Sequence, residues 1–467
     1  VPSLRSGLRA VGHWFEDRTG VWSHVRQFLR HPVPPGTDWR YVLGSATLVA
    51  LLLQVATGTV LATIYVPSTS DAYQSLQLIT HGAFFGRLLR GMHYFGASAM
   101  MVLIGAHMSR VFLTGSYKFP REWNWLSGAA LLLLTLLMAF TGQLLRWDQD
   151  GVWSGVIAAE QAARVPLIGT WLAHFILGGP TVGGPTLSRS FAIHVFFIPA
   201  LLFLGVAFHI YLILRNGISE KPAIGPAVNR ATYRAWYQDL ITRRGRPFWP
   251  DAAWRDVVAA VTLVAVVIVL AAVLGPKPLG SAPDPTQIRA SPRPDWYFLW
   301  YFAVLAVIPP ALEPWVIVLG PLLFGLALIL LPLVANHGRR RLRDRPWAVV
   351  IVLVGVAIIA WFSHLGDEAP WSPRFGAPPL EAQVVASTDP HVVHGAAVFH
   401  DRGCEFCHMI AGLGGERGPD LTHVAGRLNR AQLESRILGG GTIMPAYVMT
   451  LPRSEVDDLI AFLETRR

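Results

Sequence analysis

Of 467 residues, 52% are apolar and 15% charged, and the formal net charge is +10. A soluble domain carries about 25% charged residues, so the deficit, concentrated in blocks, excludes an ordinary globular protein and points to a membrane. The basic balance could suggest a nucleic-acid partner, but the way it is spread along the chain indicates topology instead, and no nucleic acid is expected.

A span needs about 20 mostly apolar residues to cross a hydrocarbon core of about 30 Å. Seven are expected, near 41–66, 91–114, 125–145, 191–214, 256–275, 314–335 and 347–364. The residues before them are polar and Arg-bearing, without the short apolar core of a cleavable signal peptide. Segments 1–40, 109–124, 215–252 and 336–346 carry 6, 3, 7 and 5 lysines and arginines, against 2, 3 and 3 in 67–90, 146–190 and 275–299. Positive loops stay in the cytoplasm. The N-terminus is therefore expected inside, and everything after residue 364 outside. Residues 365–390 contain Pro370, Pro373, Pro378, Pro379 and Pro390 with little periodicity and read as an extended linker. From about 391 the chain reads as a small soluble helical domain. "HVVHGAAVF" begins one helix, and "SEVDDLIAFLETRR" forms another with apolar residues 3 and 4 apart.

Ionisable side chains inside spans are costly and tend to be functional. Span two holds His93 and His107, and span four holds His194 and His209, so each pair lies close to four turns apart on one helix face. Both spans run in the same direction. His93 therefore matches His194 in depth and His107 matches His209, with the two levels about 21 Å apart. Two imidazoles at matched depth on facing helices can hold a haem iron from both sides. A single histidine here would more simply hydrogen-bond between helices; four in matched register favour two haems. Gly44 and Gly58, and Gly128 and Gly142, repeat the 14-residue period, as clearance for two flat macrocycles would. Arg90 and Arg110 stand three residues from His93 and His107, where a guanidinium could pair with a propionate.

Residues 13–220 resemble the cytochrome b of the Rieske/cytochrome b family in its shorter b6f-type form. The resemblance rests on "WFEDR" (14–18), "QVATG" (54–58), "LLRGMH" (88–93), "HMSRVFLTG" (107–115), "RWDQDGVW" (146–153) and "TLSRSFAIH" (186–194). The unequal histidine spacing, thirteen intervening residues and then fourteen, is also that type's. Residues 250–364 resemble its three-span partner, subunit IV, through "APDPTQIRASPRPDWYFLWY" (282–301). The resemblance implies an outer quinol site at "PDWY" (294–297), where the family usually has Pro-Glu-Trp-Tyr. There Asp295 would take a proton from quinol, as a carboxylate near water can, and Tyr297 would steady the head group. Residues 147–169, including Trp147 and Ile168, would wall the pocket. The Asp form also occurs in menaquinol-oxidising relatives, which points to menaquinone. The b6f type tethers an extra cytoplasmic-side haem through a cysteine just before a Leu-Gly pair; here Val42 stands at that place, so no thioether can form. An inner quinone site near His209 is implied without determined ligands.

The only cysteines, Cys404 and Cys407, precede His408 directly in "RGCEFCHMI" (402–410). This is the c-type attachment signal, with both thiols on haem vinyl groups and His408 as proximal ligand. Such attachment occurs outside the cytoplasm, in agreement with the charge distribution. Met444 in "GGGTIMPAY" (439–447) is the expected sixth ligand, Met449 the fallback, and Met409 lies too close to His408 to serve.

The expected protein is all-α, a seven-helix membrane bundle with a small soluble cytochrome c domain. Its parts are a di-haem four-helix domain (1–220), a subunit IV-like three-helix domain (221–364), the linker (365–390) and the mono-haem domain (391–467). The resemblance implies the catalytic core of a quinol:cytochrome c oxidoreductase in a bacterial inner membrane. It carries two b-type haems and one c-type haem, with a separate Rieske iron–sulfur protein, the quinone pool, membrane lipid and a periplasmic cytochrome or terminal oxidase as partners. Family members are dimers, so a homodimer of the complex is implied. An electron-wiring subunit of another quinone-linked respiratory complex, without bifurcation, and a haem-bearing assembly or structural subunit are the alternatives.

Overall fold

Among the described residues, seven helices are long and apolar enough to cross a membrane: Leu43–Ala62, Gly86–Leu113, Glu122–Leu144, Gly184–Asn216, Ala253–Val273, Glu313–Val334 and Pro346–Asp367. The computed structural model describes residues 4–283, 293–309, 312–368, 379–415, 418–441, 444, 446–448 and 450–467. Each span falls where the apolar runs predict. Their outward faces are apolar because lipid, not protein, covers them, so Leu204, Leu333 and Leu353 stand exposed. Among the described residues, sheet is confined to two short antiparallel pairs, Pro32–Val33 with Arg246–Pro247 and Met409–Ile410 with Leu413–Gly414.

Span one packs on span two and span three on span four; span five lies against spans one and two, and span three touches span six. A short apolar helix, Trp296–Val307, packs along span seven. Between spans three and four, two further helices, Gln149–Ala163 and Gly169–Leu177, pack on each other.

Span four contains one wide turn. Residues Ile193–Phe197 form a π-helix in which the Ile198 N–H bonds back five residues to the Ile193 carbonyl. Pro199 follows; it offers no N–H, and its ring crowds the carbonyl four residues back. A π turn takes in one extra residue. This accounts for the unequal histidine spacing: the fifteen-residue step from His194 to His209 contains the extra residue, so it covers the same register as the fourteen-residue step from His93 to His107.

Several basic residues counted as topology signals are buried structural groups. Arg121 (4% exposed) donates to the carbonyls of Gly217 (2.8 Å), Asn216 and Ile218 (both 3.3 Å), capping the C-terminal end of span four. Arg345 (2% exposed) donates to the carbonyls of Phe112 (2.7 Å) and Leu113 (3.0 Å) at the same end of span two. A cation there meets the negative end of the helix dipole. Arg340 forms a buried ion pair with Glu220, whose other carboxylate oxygen accepts from the Tyr233 hydroxyl at 2.6 Å. Lys118 donates to the carbonyls of His337 (2.5 Å) and Arg339 (3.2 Å).

The last span's helix continues to Glu368, beyond the expected edge at 364, and Ala382–Val385 makes a helical turn inside the expected linker. Pro370, Pro373 and Pro378 lie outside the described residues. The tail is helical as its periodicity predicts. Helices Pro390–Asp401, Arg430–Gly439 and Arg453–Glu464 enclose one core, with the rings of Phe399 and Phe462 5.8 Å apart.

Candidate functional site

The ring centres of His93 and His194 are 6.4 Å apart, with the planes inclined at 71°. Their Nδ1 atoms point away from each other into hydroxyl groups. His93 Nδ1–H donates to Thr57 Oγ1 (2.9 Å), while the Thr57 hydroxyl spends its own proton on the Leu53 carbonyl (2.7 Å). His194 Nδ1–H is shared between Thr141 Oγ1 and the Met138 carbonyl, both at 3.1 Å, and Thr141 donates to the Leu137 carbonyl (3.0 Å). His209 Nδ1–H donates to Ser127 Oγ (2.8 Å), whose proton goes to the Asn124 carbonyl (3.1 Å). In each case the hydroxyl has only a lone pair to offer, so the imidazole carries its proton on Nδ1 and keeps Nε2 as a free donor atom. At His107 the corresponding position is Leu43, which has no hydroxyl.

The four glycines lie against the imidazoles themselves. A Cβ on Gly58 would stand 3.1 Å from His93 Cε1, on Gly142 2.7 Å from His194 Cε1, on Gly44 3.1 Å from His107 Cε1 and on Gly128 3.5 Å from His209 Cε1. The clearance read from the sequence for a macrocycle is thus first of all clearance for the histidine rings. His107 and His209 wall a cavity of about 410 Å³ shared with Gly44, Gly128 and Arg110. The Arg110 guanidinium stacks over the Tyr41 ring at 4.0 Å.

The turn at 294–297 meets both histidine-bearing regions. The Asp295 N–H donates to Gln143 Oε1 at 3.5 Å, next to the Gly142 that lies on His194. Trp296 Nε1–H donates to Ser98 Oγ (3.3 Å), five residues beyond His93. The Asp295 side chain, 13% exposed, has both oxygens engaged: Lys277 Nζ is 3.3 Å from Oδ1, and the Tyr297 hydroxyl donates to Oδ2 at 3.1 Å. Arg90 donates to Thr80 Oγ1 and to the Lys277 carbonyl, both at 2.9 Å. Arg146 pairs with Asp148 and lies 3.7 Å from Asp150. Burial, with Asp148 adding to it, pushes the Asp150 carboxyl up from its ordinary value. Trp147 is buried (4% exposed) in the left-handed backbone region at φ 43°, packed on Ala72, Val152 and Leu187. Such a conformation costs about 1–3 kcal/mol and marks a site held by its surroundings. Ile168 is exposed. Residues 284–292 of the motif lie outside the described residues.

In the tail, Gly403 (φ 73°) turns the chain into the short helix Cys404–Phe406, and the His408 N–H bonds back to the Cys404 carbonyl at 3.0 Å. Neither cysteine is in a disulfide, and burial pushes the Cys404 thiol up to about 12. His408 Nδ1–H donates to the Pro419 carbonyl (2.8 Å), leaving Nε2 as the donor atom, and burial lowers the ring's proton affinity. A Cβ on Gly418 would come within 2.6 Å of the His408 ring. Met444 packs against the tail's core. Met449 lies outside the described residues.

Residues 28–217 match the family described as Cytochrome b/b6/petB and residues 282–377 that described as Cytochrome b(C-terminal)/b6/petD. Cytochrome b6 of Heliobacterium mobile is 40% identical over 210 residues, 44% of this chain and 99% of the relative. The chain belongs to the cytochrome b/b6 family. Cytochrome b6 of Synechococcus sp. (strain CC9311) is 36% identical over 209 residues, 45% of this chain and 96% of the relative. A chain of the solved structure "Hyperthermophilic respiratory Complex III" superposes with a TM-score of 0.66 at 27% identity, covering 77% of this chain and 91% of that one. Residues 391–463 match the family described as Cytochrome C oxidase, cbb3-type, subunit III. The resemblance read from the motifs is borne out, with a cbb3-type cytochrome c domain as the tail.

This cytochrome b/b6 protein is a multi-pass membrane protein, and its cytochrome b and cytochrome c parts imply b-type and c-type haems. The residues fit such groups. The His93 and His194 rings stand 6.4 Å apart with each Nδ1 engaged by a hydroxyl, so their Nε2 atoms would be the ones to hold a haem iron. Arg110 Nε is buried without a partner among the described residues, on the wall of the cavity shared by His107 and His209, where a propionate would satisfy it. The sequence reading missed Thr57, Ser127 and Thr141, although each directly precedes one of the glycines it singled out. It also missed Lys277, for which no local signal exists.

Proposed function

We propose that this chain is the membrane core of a complex III-type quinol:cytochrome c oxidoreductase. In this reading His93 and His194 hold the outer b haem, His107 and His209 the inner one, and Arg110 meets a propionate. Cys404, Cys407, His408 and Met444 hold the c haem. Bound there, the haems supply one-electron transfer across the membrane and out of it, contributing to proton translocation. The chain's own residues handle the quinol and its protons. Asp295 accepts a proton from the quinol hydroxyl, and Tyr297 fixes the carboxylate by its hydrogen bond. Trp147 walls the pocket. The charge distribution supports a cytoplasmic N-terminus and an outer tail in a bacterial inner membrane. A Rieske iron–sulfur protein is a separate chain, because both cysteines are committed to the c haem, and the complex is a homodimer, as the family resemblance implies. Asp295 in place of glutamate favours menaquinol as substrate.

The observation that carries this reading is the contact of the Asp295 turn with Gln143, beside the glycine on which His194 rests. A proton acceptor stands next to an electron-acceptor site, as oxidation of a quinol requires. Replacing Asp295 with Asn in the intact complex should slow quinol oxidation by about 100-fold while all haem spectra remain. Full turnover in that variant would remove Asp295 from the mechanism.

A further inference from the structure

We propose that Lys277 is a positioning residue for quinol oxidation: its ammonium group holds the Asp295 carboxylate in the accepting orientation, and the pair breaks and re-forms with each proton passed. The proposal rests on the proton-acceptor role given to Asp295 above.

Lys277 is not a lysine reaching in from a loose loop. Its carbonyl accepts from Arg90 Nη2 at 2.9 Å, and Arg90 stands one turn before His93 on span two. Along the next four residues the Pro278 carbonyl accepts from Arg146 (3.4 Å) and the Gly280 carbonyl from the Tyr73 hydroxyl (3.0 Å). The Gly280 N–H donates to Asp148 Oδ2 (2.9 Å), and the Ser281 carbonyl accepts from the Gln149 N–H (3.1 Å). The backbone of Lys277 is therefore fixed by elements of the histidine-bearing half, and its ammonium is delivered to Asp295 Oδ1 at 3.3 Å.

On Asp295 itself, one oxygen faces a full positive charge and the other a neutral phenol. The charges around the pair are Arg146, Asp148 and Asp150 on the turn after span three, with Tyr94 on span two and Tyr297 beside it. When quinol gives up its first proton, a quinol O–H bond breaks and a carboxyl O–H bond forms on Asp295. The quinol becomes its monoanion and Asp295 becomes neutral. The attraction that held the carboxylate to Lys277 is then lost, and the carboxyl group is free to turn. Lys277 is partly exposed, with 32% of its side chain accessible, and in the proposed cycle water takes the proton at this edge of the site. Once it does, the negative charge returns to Asp295 and the ammonium draws it back to its starting place. A pair this close to water is weak enough to be made and broken at each turnover, and charge-assisted hydrogen bonds are directional enough to set the orientation.

The test uses the intact complex and four variants: Lys277→Met, Lys277→Gln, Lys277→Arg and Asp295→Asn, with the Lys277→Met/Asp295→Asn double variant. Lys277→Met should lower kcat about tenfold, with KM nearly unchanged and the haem spectra intact. Lys277→Arg should recover most of the rate because it keeps the charge, and Lys277→Gln should not. In the Asp295→Asn background, Lys277→Met should have no further effect, because the residue it positions is gone. Wild-type turnover in Lys277→Met, recovery by Gln, or losses that multiply in the double variant would each overturn the proposal. If Lys277→Met lost its haems, the Arg against Gln comparison would decide alone. Asp295→Asn at full rate would sink this proposal together with the proton-acceptor role of Asp295 on which it rests, whereas a slow Asp295→Asn beside a normal Lys277→Met would sink only this one.

Discussion

A hydroxyl residue directly before a glycine recurs at Thr57-Gly58, Ser127-Gly128 and Thr141-Gly142, and each hydroxyl accepts from a histidine Nδ1–H. An acceptor on the far nitrogen orients the ring and raises its basicity, and its removal typically costs about 10–100-fold in metal affinity. On the ligand assignment proposed above, Thr57→Val should therefore lower occupancy of the b haem held by His93 and move its potential upward, leaving the other b component of a redox titration where it was. Two unchanged b components would show that the hydroxyl is a packing group only. The histidines were legible because ionisable residues are rare in spans and their period is regular. The hydroxyls were not, since serine and threonine are ordinary in membrane helices and bond back to their own carbonyls. Lys277 was hidden for another reason: its partner is 18 residues away across a loop, with no periodicity linking them.

At the level of elements, the spans were readable from their apolar length to within five residues, except that span four begins seven residues earlier than expected, at Gly184, and two further features were not readable. The wide turn at Ile193–Phe197 leaves no composition signature; only the odd residue in the histidine count, read together with Pro199, reveals it. The basic segments 109–124 and 336–346 were read as topology alone, yet Arg121 and Arg345 cap helix ends and Arg340 pairs with Glu220 in a buried site. Positive charge at that end and the negative end of the helix dipole coincide, so one residue can serve both roles. Removing one partner of a buried pair leaves an uncompensated charge and costs about 3–5 kcal/mol. Arg340→Met should accordingly lower the thermal midpoint of the solubilised complex by several degrees, and adding Glu220→Gln should return part of the loss. A midpoint unaffected by Arg340→Met would mean that Glu220 does not depend on Arg340 for its stability in the fold.

For the whole molecule, the order of parts was legible because each announces itself differently: apolar runs, a proline-bearing stretch, then a polar helical tail with both cysteines. Ending the chain after Glu368 should leave quinol-driven reduction of the b haems while abolishing delivery of electrons to an external cytochrome or oxidase. A truncated complex that still reduced that acceptor at the full rate would place the exit elsewhere.

The loop after span six supplies Arg345 to the end of span two, Arg340 to Glu220 after span four, and its carbonyls to Lys118. The two halves are thus fastened by side chains as well as by the backbone between them. A single cut within residues 243–246, where Arg243 is well exposed, should leave them together through purification in mild detergent. What the unbroken backbone contributes is then a matter of synthesis rather than cohesion. The ribosome delivers both halves in equal number, and the helix ends to be capped are already in the membrane when the capping loop emerges.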